Sequence, residues 1–319
     1  MHVLLGTITR QRPEGLATLL ESWARLERPG DARLSFAVVE NDAAPGPARA
    51  VVERFRAQVA EDVLYALEPE PGIPFARNRV LALGRETDAR YVLQCDDDQT
   101  VDPDWLVRLL GAARREGYHL SGGPNVIRAG ADNAPGRFLA ERAARAVARS
   151  TARHEGGAGG RLHVYTNNWC ADLPWLDANS IAFDTGLAFT GSSDTALSNA
   201  VRAAGGRIGW VPDAIAREEF PARRCTYGYI FRRTRDQVEN SLFLHPGGRR
   251  ANLLARLPLR LVEAALVPVI GAAMGRNYLP RAVHKLGRAA GTFRFLTGQR
   301  SRHYAPEAAR DHVEGGGAG

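Results

Sequence analysis

Short apolar runs alternate with longer segments of helical periodicity over the first 125 residues. The apolar runs are typical of buried strands, and the longer segments repeat their apolar positions every three or four residues, as helices do. Strands are predicted at 3–5, 34–39, 63–67 and 91–95, and helices at 13–26, 51–59, 75–83 and 106–113. Strands and helices that alternate through short connections predict an α/β fold, with a mostly parallel sheet covered by helices on both faces.

The pattern weakens after residue 125 and then returns. A helix is predicted at 137–149, a flexible loop at 156–160, and renewed order from 163 to about 240. The last 75 residues predict helices rich in Arg and Leu with Gly and Pro breaks, and a disordered tail at 314–319. We therefore expect a first half at 1–125, a second half of the same domain at 126–240, and a helical extension at 241–319.

Three consecutive carboxylates, Asp96, Asp97 and Asp98, directly follow the predicted strand at 91–95. Ligands of parallel sheets bind at the carboxyl ends of the strands, which is where this triplet lies. Three adjacent carboxylates repel one another unless a cation is present, and Mg²⁺ or Mn²⁺ prefers carboxylate and phosphate oxygens. The alternative is a solvated turn into the next helix, capped by Asp102 or Asp104.

The triplet belongs to an ordered series of short motifs. The motifs are the segments 7–13, 40–43, 72–78, 96–98, 105–106, 166–168, 183–184, 191–194, 218–224 and 232–233. No single motif is specific, whereas their order along residues 1–240 is. In this order the chain resembles the family 2 glycosyltransferases with the GT-A fold, in particular the bacterial exopolysaccharide branch typified by the succinoglycan transferases.

The resemblance implies a nucleotide-diphosphate sugar as the donor, with a UDP-sugar favoured. Glu40 would accept hydrogen bonds from the base. Arg77 would face phosphate or ribose, and Asp96 the ribose. The full set of implied donor-binding residues is Thr7, Arg10, Glu40, Arg77, Asn78, Asp96, Asp97, Arg232 and Arg233. Surface charges or salt bridges remain the alternative for Glu40 and Arg77.

The resemblance also implies a metal and a general base. Asp98 would bind Mg²⁺ or Mn²⁺ with help from Glu218, although Glu218 also fits a strand-edge charge and the neighbouring Glu219 could take its place. Asp194 would take the proton of the acceptor hydroxyl in an inverting transfer, with a helix N-cap as the alternative role. The family usually has Glu immediately before this Asp, and here Ser193 stands there, which leaves the acceptor open.

The implied acceptor groove contains Asn167, Asn168 and Trp169, although core packing is the alternative for the tryptophan. We expect a saccharide or a lipid-linked precursor as the acceptor. A soluble secondary metabolite and a non-catalytic nucleotide-sugar-binding relative remain alternatives. A nucleotidyltransferase is disfavoured because the segment 7–13 has neither the Gly nor the Lys of such phosphate loops.

The net charge is +7 and the pI about 9.7, with nearly all the positive charge from Arg. Two alternatives explain the excess of Arg: a coding bias that prefers Arg to Lys, and attraction to phosphates or to an anionic membrane surface. No nucleic-acid-binding motif is visible, so we expect no nucleic-acid partner. Three widely spaced cysteines favour a reducing compartment and argue against a zinc site.

The N-terminus begins with a strand-like run and shows no signal-peptide pattern, and the longest apolar stretch, 261–275, is too short to span a bilayer. Basic amphipathic segments at 253–266 and 281–295 predict contact with a membrane surface, with helix packing or oligomer formation as the alternative. We therefore expect a cytoplasmic protein with a peripheral contact at the inner face of the plasma membrane.

Overall fold

The computed structural model describes residues 1–156, 162–189, 191–244, 250–273 and 278–298, with side chains outside the description at 244 and 250–256. The strands are β1 His2–Thr9, β2 Arg33–Glu40, β3 Asp62–Leu67, β4 Tyr91–Cys95, β5 Gln99–Val101, β6 Leu120–Gly122, β7 Asn125–Ala129, β8 Asn168–Asp172, β9 Ile208–Trp210 and β10 Ala216–Phe220. The helices are α1 Pro13–Ala24, α2 Ala48–Arg56, α3 Ile73–Glu86, α4 Trp105–Glu116, α5 Ala134–Glu155, α6 Leu173–Ala178, α7 Ser193–Ala203, α8 Tyr227–Leu244, α9 Arg250–Ala273 and α10 Leu279–Leu296.

Seven strands form the main sheet in the order β3-β2-β1-β4-β8-β6-β9. The strands β1 to β4 are parallel, β6 and β9 are parallel, and β8 runs antiparallel to both of its neighbours, β4 and β6. The mostly parallel sheet expected from the sequence is therefore confirmed. The antiparallel β8 begins beside the carboxyl end of β4, where Asn168 pairs with Cys95, so the segment before β8 lies at that end of the sheet.

Alternate residues of the sheet enter two separate hydrophobic cores. On β2, Phe36 and Val38 pack into one core with α1, α2 and α4, whereas Ala37 and Val39 pack into the other core with α3, α6 and α7. Successive side chains of a strand point to opposite faces, so a run of apolar residues fills both cores. This explains why the central strands read as continuous apolar segments.

A second sheet of three strands, in the order β5-β10-β7, follows the acidic triplet. The strand β5 begins at Gln99, so the triplet forms the short turn between β4 and β5. The strand β10 pairs antiparallel with β5 and places Glu218 opposite Gln99. The sequence pattern did not predict β5, and this small strand is what brings Glu218 beside the triplet.

The chain divides into two compact units, one of residues 1–126, 144–188 and 193–218, and the other of residues 127–143, 189–192 and 219–319. The three contiguous parts expected from the sequence are functional divisions and stay predictions. In the second unit α10 packs closely on α8, since a Cβ on Gly291 would lie 2.3 Å from the carbonyl oxygen of Arg235. None of the described helices has the length and apolarity needed to cross a membrane. Residues 157–160 of the loop predicted at 156–160, and the tail at 314–319, lie outside the described residues.

Candidate active site

The acidic triplet lies against the end of β1, the strand that pairs with β4 in parallel. Thr9, the last residue of β1, donates a hydrogen bond of 2.6 Å from its hydroxyl to Asp97. Asp97 is buried, and burial raises the pKa of its carboxyl group, against the lowering effect of Arg12 and of the Thr9 hydrogen bond. Asp97 is therefore held inside the protein, and contacts with a ligand from solvent are left to Asp96 and Asp98.

Arg12 holds the outer side of the triplet. Its Nη1 atom lies 3.0 Å from a carboxylate oxygen of Asp97 and 3.0 Å from one of Asp98. The helix α1 begins one residue later, and a Cβ on Gly15 would lie 2.7 Å from the carbonyl oxygen of Asp97. Only glycine lets α1 approach the triplet this closely, and that approach places Arg12 against the two carboxylates.

Arg77 of α3 holds the inner side. Its Nη2 atom donates to Asp96 at 3.2 Å and to the carbonyl oxygen of Thr166 at 3.4 Å, and its guanidinium lies 5.7 Å from the centre of the Phe183 ring. Burial raises the pKa of Asp96 to about 6, although the charge of Arg77 opposes the rise and the charge of Asp98 adds to it. The pair joins the triplet to the segments before β8 and α7.

The charge of the cluster is not balanced by its own side chains. Three carboxylates of 96–98 face two guanidinium groups, those of Arg12 and Arg77. The side chain of Asp98 is 28% exposed, whereas that of Asp97 is 6% exposed. Among the described ion pairs of the triplet one net negative charge therefore remains, and Asp96 and Asp98, at 36% and 28% exposed, are the carboxylates that a cation from solvent reaches more readily than Asp97.

Glu218 lies beside this charge. The pairing of β10 with β5 sets Glu218 opposite Gln99, the residue after Asp98, and paired Cα atoms of antiparallel strands are about 5 Å apart. Asn125 donates a hydrogen bond of 2.7 Å to the Glu218 carboxylate.

No group of three His, Cys, Asp or Glu side chains within the described ranges forms a ready metal cage. Mg²⁺ is commonly held by one or two carboxylates while phosphates and water supply the other oxygens. Asp98 with Glu218 fits that arrangement.

The structure gives Glu40 a role different from the expected base contact. Its carboxylate is fully buried and accepts hydrogen bonds from the backbone N–H groups of Gly46 and Ala48, at 3.0 and 3.3 Å, and from the Tyr65 hydroxyl at 2.6 Å. Burial and the nearby Glu40 raise the pKa of Tyr65 to about 12. Glu40 therefore anchors the loop before α2 and exposes no surface to a nucleotide base.

Two other residues that were expected to bind the donor, Thr7 and Asn78, form hydrogen bonds with the protein backbone. The Thr7 hydroxyl is buried and donates to the carbonyl oxygen of Cys95 at 2.9 Å, which ties β1 to β4. Asn78 forms two hydrogen bonds of 2.9 Å with the backbone N–H and carbonyl groups of Phe183. Arg10, by contrast, is exposed at the end of β1.

Of the three residues expected to bind the acceptor, two are buried and one is partly exposed. Asn168 is fully buried, and its amide group donates to the carbonyl oxygens of Pro124 and Ala214 and accepts from the Trp105 indole. Trp169 is fully buried as well and packs edge-on against Phe183 in the core. Neither side chain reaches the surface, so their contacts with an acceptor stay predictions that this burial disfavours.

Asn167 remains available. Cys95 pairs with Asn168 in the antiparallel register of β4 and β8, so Asn167 and Asp96 are the next residues beyond the pair, at the same end of the sheet. Asn167 is half-buried. It is therefore the one residue of the expected acceptor set that lies near the triplet with some exposed surface.

Asp194 lies in the first turn of α7 and is half-buried. Its carboxylate accepts a hydrogen bond of 2.8 Å from the Thr195 N–H. One turn later, the Ser198 hydroxyl accepts from the N–H of Val164 at 3.1 Å. Val164 lies two residues before Thr166, whose carbonyl oxygen accepts a hydrogen bond from Arg77. Asp194 and Asp98 belong to the same compact unit.

Arg232 and Arg233 lie on α8 in the second unit, so their contact with a diphosphate stays a prediction. Glu219, the alternative to Glu218, pairs with Arg128 at 3.1 Å and belongs to the second unit. Its engagement there favours Glu218 as the acid beside the triplet.

The chain is 31% identical over 278 residues to the succinoglycan biosynthesis protein ExoM of Rhizobium meliloti (strain 1021), an alignment that covers 86% of this chain and 82% of ExoM. This chain belongs to the ExoM-type glycosyltransferase family. No protein-family model matches the chain.

Solved structures show the same fold. The mannosyltransferase PcManGT of Pyrobaculum calidifontis, in complex with GDP-Man and Mn²⁺, aligns with a TM-score of 0.63 at 16% identity, over 93% of this chain and 88% of its own. TarS 1-349 of S. aureus, in complex with UDP-GlcNAc, aligns with a TM-score of 0.50 at 13% identity, over 94% of this chain and 93% of its own. The fold of this glycosyltransferase is therefore GT-A.

Proposed function

We propose that this enzyme is an inverting, metal-dependent glycosyltransferase that moves a sugar from a nucleotide-diphosphate donor to a hydroxyl group of a lipid-linked or polysaccharide precursor. The observation that carries the proposal is the excess of carboxylates over described arginine partners in the triplet at the end of β4, where Asp98 is partly exposed and precedes Gln99, the residue that pairs with Glu218. The GDP-Man and Mn²⁺ of PcManGT and the UDP-GlcNAc of TarS support a nucleotide sugar and a divalent cation. We retain the UDP-sugar as the favoured donor.

Each exposed group near the triplet has a role in this proposal. Asp98 and Glu218 would hold Mg²⁺ or Mn²⁺, which when bound stabilises negative charge on the departing diphosphate. Asp96 would accept hydrogen bonds from ribose hydroxyls, oriented by its ion pair with Arg77. Arg10 is exposed at the end of β1 and would contact the nucleotide.

Asp194 would act as the general base. A carboxylate that takes the proton of the acceptor hydroxyl as the new bond forms raises its nucleophilicity, and attack opposite the leaving diphosphate inverts the anomeric centre. Asp194 uses one oxygen for the Thr195 N–H, which fixes the carboxylate at the start of α7. The name of ExoM supports a polysaccharide precursor as the acceptor.

Calorimetry with UDP and with GDP tests the proposal. We expect nucleotide affinity to rise with Mn²⁺ in the unaltered enzyme, and Asp98→Asn to remove about tenfold or more of that metal-dependent affinity. Asp104→Asn is the matched control, because Asp104 pairs with Arg108 outside the triplet. Unchanged metal-dependent affinity in Asp98→Asn would refute the assignment.

A further inference from the structure

A cavity of about 350 Å³ lies in the second unit, between α5, α8, α9 and α10. The helix α8 supplies one wall with residues spaced three and four positions apart, which include Thr234 and Gln237. The helix α10 supplies His284 and Arg288, also one turn apart. This regular spacing means that the wall is made by well-defined helix faces.

The polar lining of this cavity is basic. Arg142 comes from α5, Arg260 from α9 and Arg288 from α10, and no Asp or Glu is among the described residues that line it. Arg142 donates to the Gln237 side chain at 3.3 Å, which directs its guanidinium toward α8. Three guanidinium groups converging from three helices form a strongly positive environment.

The state of His284 reflects that environment. Burial, followed by the positive charges of Arg142, Arg288 and Lys285, lowers the pKa of His284 to about 4. Glu263 accepts a hydrogen bond from Lys285, and its charge also acts on the cavity arginines. The imidazole is consequently neutral at neutral pH, and the cavity keeps the charge of its arginines.

Thr234 adds a hydrogen-bonding group without a partner. Its side chain is 1% exposed, and its hydroxyl has no hydrogen-bond partner among the described residues. A buried polar group without a partner costs stability, and a ligand in the cavity would satisfy it. A hydroxyl donor combined with guanidinium donors is suited to phosphate oxygens.

The helices that bound the cavity also expose apolar side chains. On α9, Leu259, Val262, Leu266 and Val269 are spaced three and four residues apart and are each about half exposed or more. This spacing forms one stripe along α9, and Leu286 adds an exposed apolar residue on α10. The α9 stripe and Leu286 each lie close in sequence to a cavity arginine, and such a combination is typical of helices at a membrane interface.

We propose that the cavity binds the phosphate or diphosphate headgroup of an anionic lipid, with the apolar stripe of α9 against the acyl region of the bilayer. The choice of a lipid rests on the proposed lipid-linked acceptor. The arginines would contact the headgroup through charge-assisted hydrogen bonds, and Thr234 would donate to one of its oxygens. A phosphate monoester differs from other anionic headgroups in presenting three free oxygens to these donors.

Vesicle sedimentation with the purified full chain tests the proposal. Phosphatidylcholine vesicles that contain phosphatidic acid are compared with vesicles that contain phosphatidylserine at matched surface charge. We expect tighter binding to phosphatidic acid, and loss of about tenfold in that preference in the double variant Arg142→Gln, Arg288→Gln. Arg281→Gln, on α10 outside the cavity, removes one like charge and should keep the preference.

Thr234→Val supplies a second, milder variant. It replaces a buried, unpartnered hydroxyl with a methyl group of similar size, so we expect an equal or higher melting temperature together with a weaker preference for phosphatidic acid. A purely structural role would not lower lipid discrimination while preserving stability. This variant remains informative even where the double arginine variant folds poorly.

Several results would overturn the proposal. These are equal binding to the two charge-matched vesicles, an unchanged preference in both cavity variants, or an equal loss in Arg281→Gln. Calorimetric binding of inorganic phosphate or diphosphate without a preference for phosphatidic acid would assign the cavity to a free anion instead. Nucleotide binding with Mn²⁺ is measured in the same variants without lipid, so failure of the donor site is recognised separately.

Discussion

The guanidinium of Arg12 donates a hydrogen bond of 3.0 Å to the carboxylate of Asp98. The same Nη1 atom also contacts Asp97 at 3.0 Å, so one nitrogen serves both carboxylates. Arg12 is therefore a cation supplied by the chain itself at the position where a metal would be held. Under the proposed function, a metal ion held by Asp98 would compete with Arg12 for the same carboxylate oxygens.

Replacement of Arg12 tests this competition. Arg12→Met removes the charge and keeps much of the length, so we expect Mn²⁺ alone to bind about threefold to tenfold more tightly, a modest gain because both groups are partly exposed. Calorimetry with Mn²⁺ in the absence of nucleotide measures it. Arg25→Met, at the end of α1, is the control for the loss of one positive charge. Unchanged or weaker Mn²⁺ binding in Arg12→Met would count against the competition.

Asp194→Asn separates binding from chemistry. Asparagine can still accept the Thr195 N–H but cannot take a proton, so we expect donor affinity within about twofold of the unaltered enzyme and transfer slower by about 100-fold or more. Asp184→Asn is a matched control, because the Asp184 oxygen likewise accepts a neighbouring backbone N–H, that of Gly186. Near-normal turnover in Asp194→Asn would exclude it as the base.

Two adjacent asparagines should respond in opposite ways. Asn168→Leu leaves three buried partners, Pro124, Ala214 and Trp105, without their hydrogen bonds, so we expect a loss of about 3 kcal/mol or more in the free energy of unfolding. Asn167→Ala should change it by about 0.5 kcal/mol or less. Urea unfolding measures both, and similar losses in the two variants would contradict the assignment of Asn168 to the frame of the sheet.

His284 should make stability depend on pH. Its pKa in the folded protein is about 4, below its ordinary value, because of burial and the neighbouring cations. The unfolded chain therefore binds a proton at a higher pH than the folded chain does, and stability falls as the pH is lowered from about 6.5 to about 4. We expect the fall in melting temperature between about pH 6.5 and about pH 4 to be smaller by a few degrees in His284→Gln than in the unaltered protein. His154→Gln on α5 is the control, and equal slopes in both variants would contradict the prediction.

The first half of the fold could be predicted from the sequence because its strands and helices are defined by patterns of neighbouring residues. Apolar runs bounded by polar turns define β1 to β4, and helical periodicity defines α1 to α4. The triplet at the end of β4 followed from the same pattern. The strand β5 has only three residues, and its pairing with β10 joins segments more than 100 residues apart. No local period indicates such a pairing.

The expected site residues that the structure buries share one physical feature. Glu40, Asn168 and Trp169 are of residue types suited to binding, yet each is buried and engaged with the protein itself. Residue type shows what a side chain can do, whereas register decides which way it points. Thr9 and Arg12 were missed for the converse reason, since their roles come from contacts with Asp97 across the sheet. An arginine just before the Pro13 that opens α1 was the available signal.

The anchoring of the loop before α2 has a consequence for how the enzyme diversifies. Glu40 fixes the loop from below through Gly46 and Ala48, while residues 43–45 remain exposed at its tip. Substitutions at the tip leave the anchor untouched and therefore cost little stability. The tip can therefore change in sequence while the scaffold that supports it is inherited unaltered.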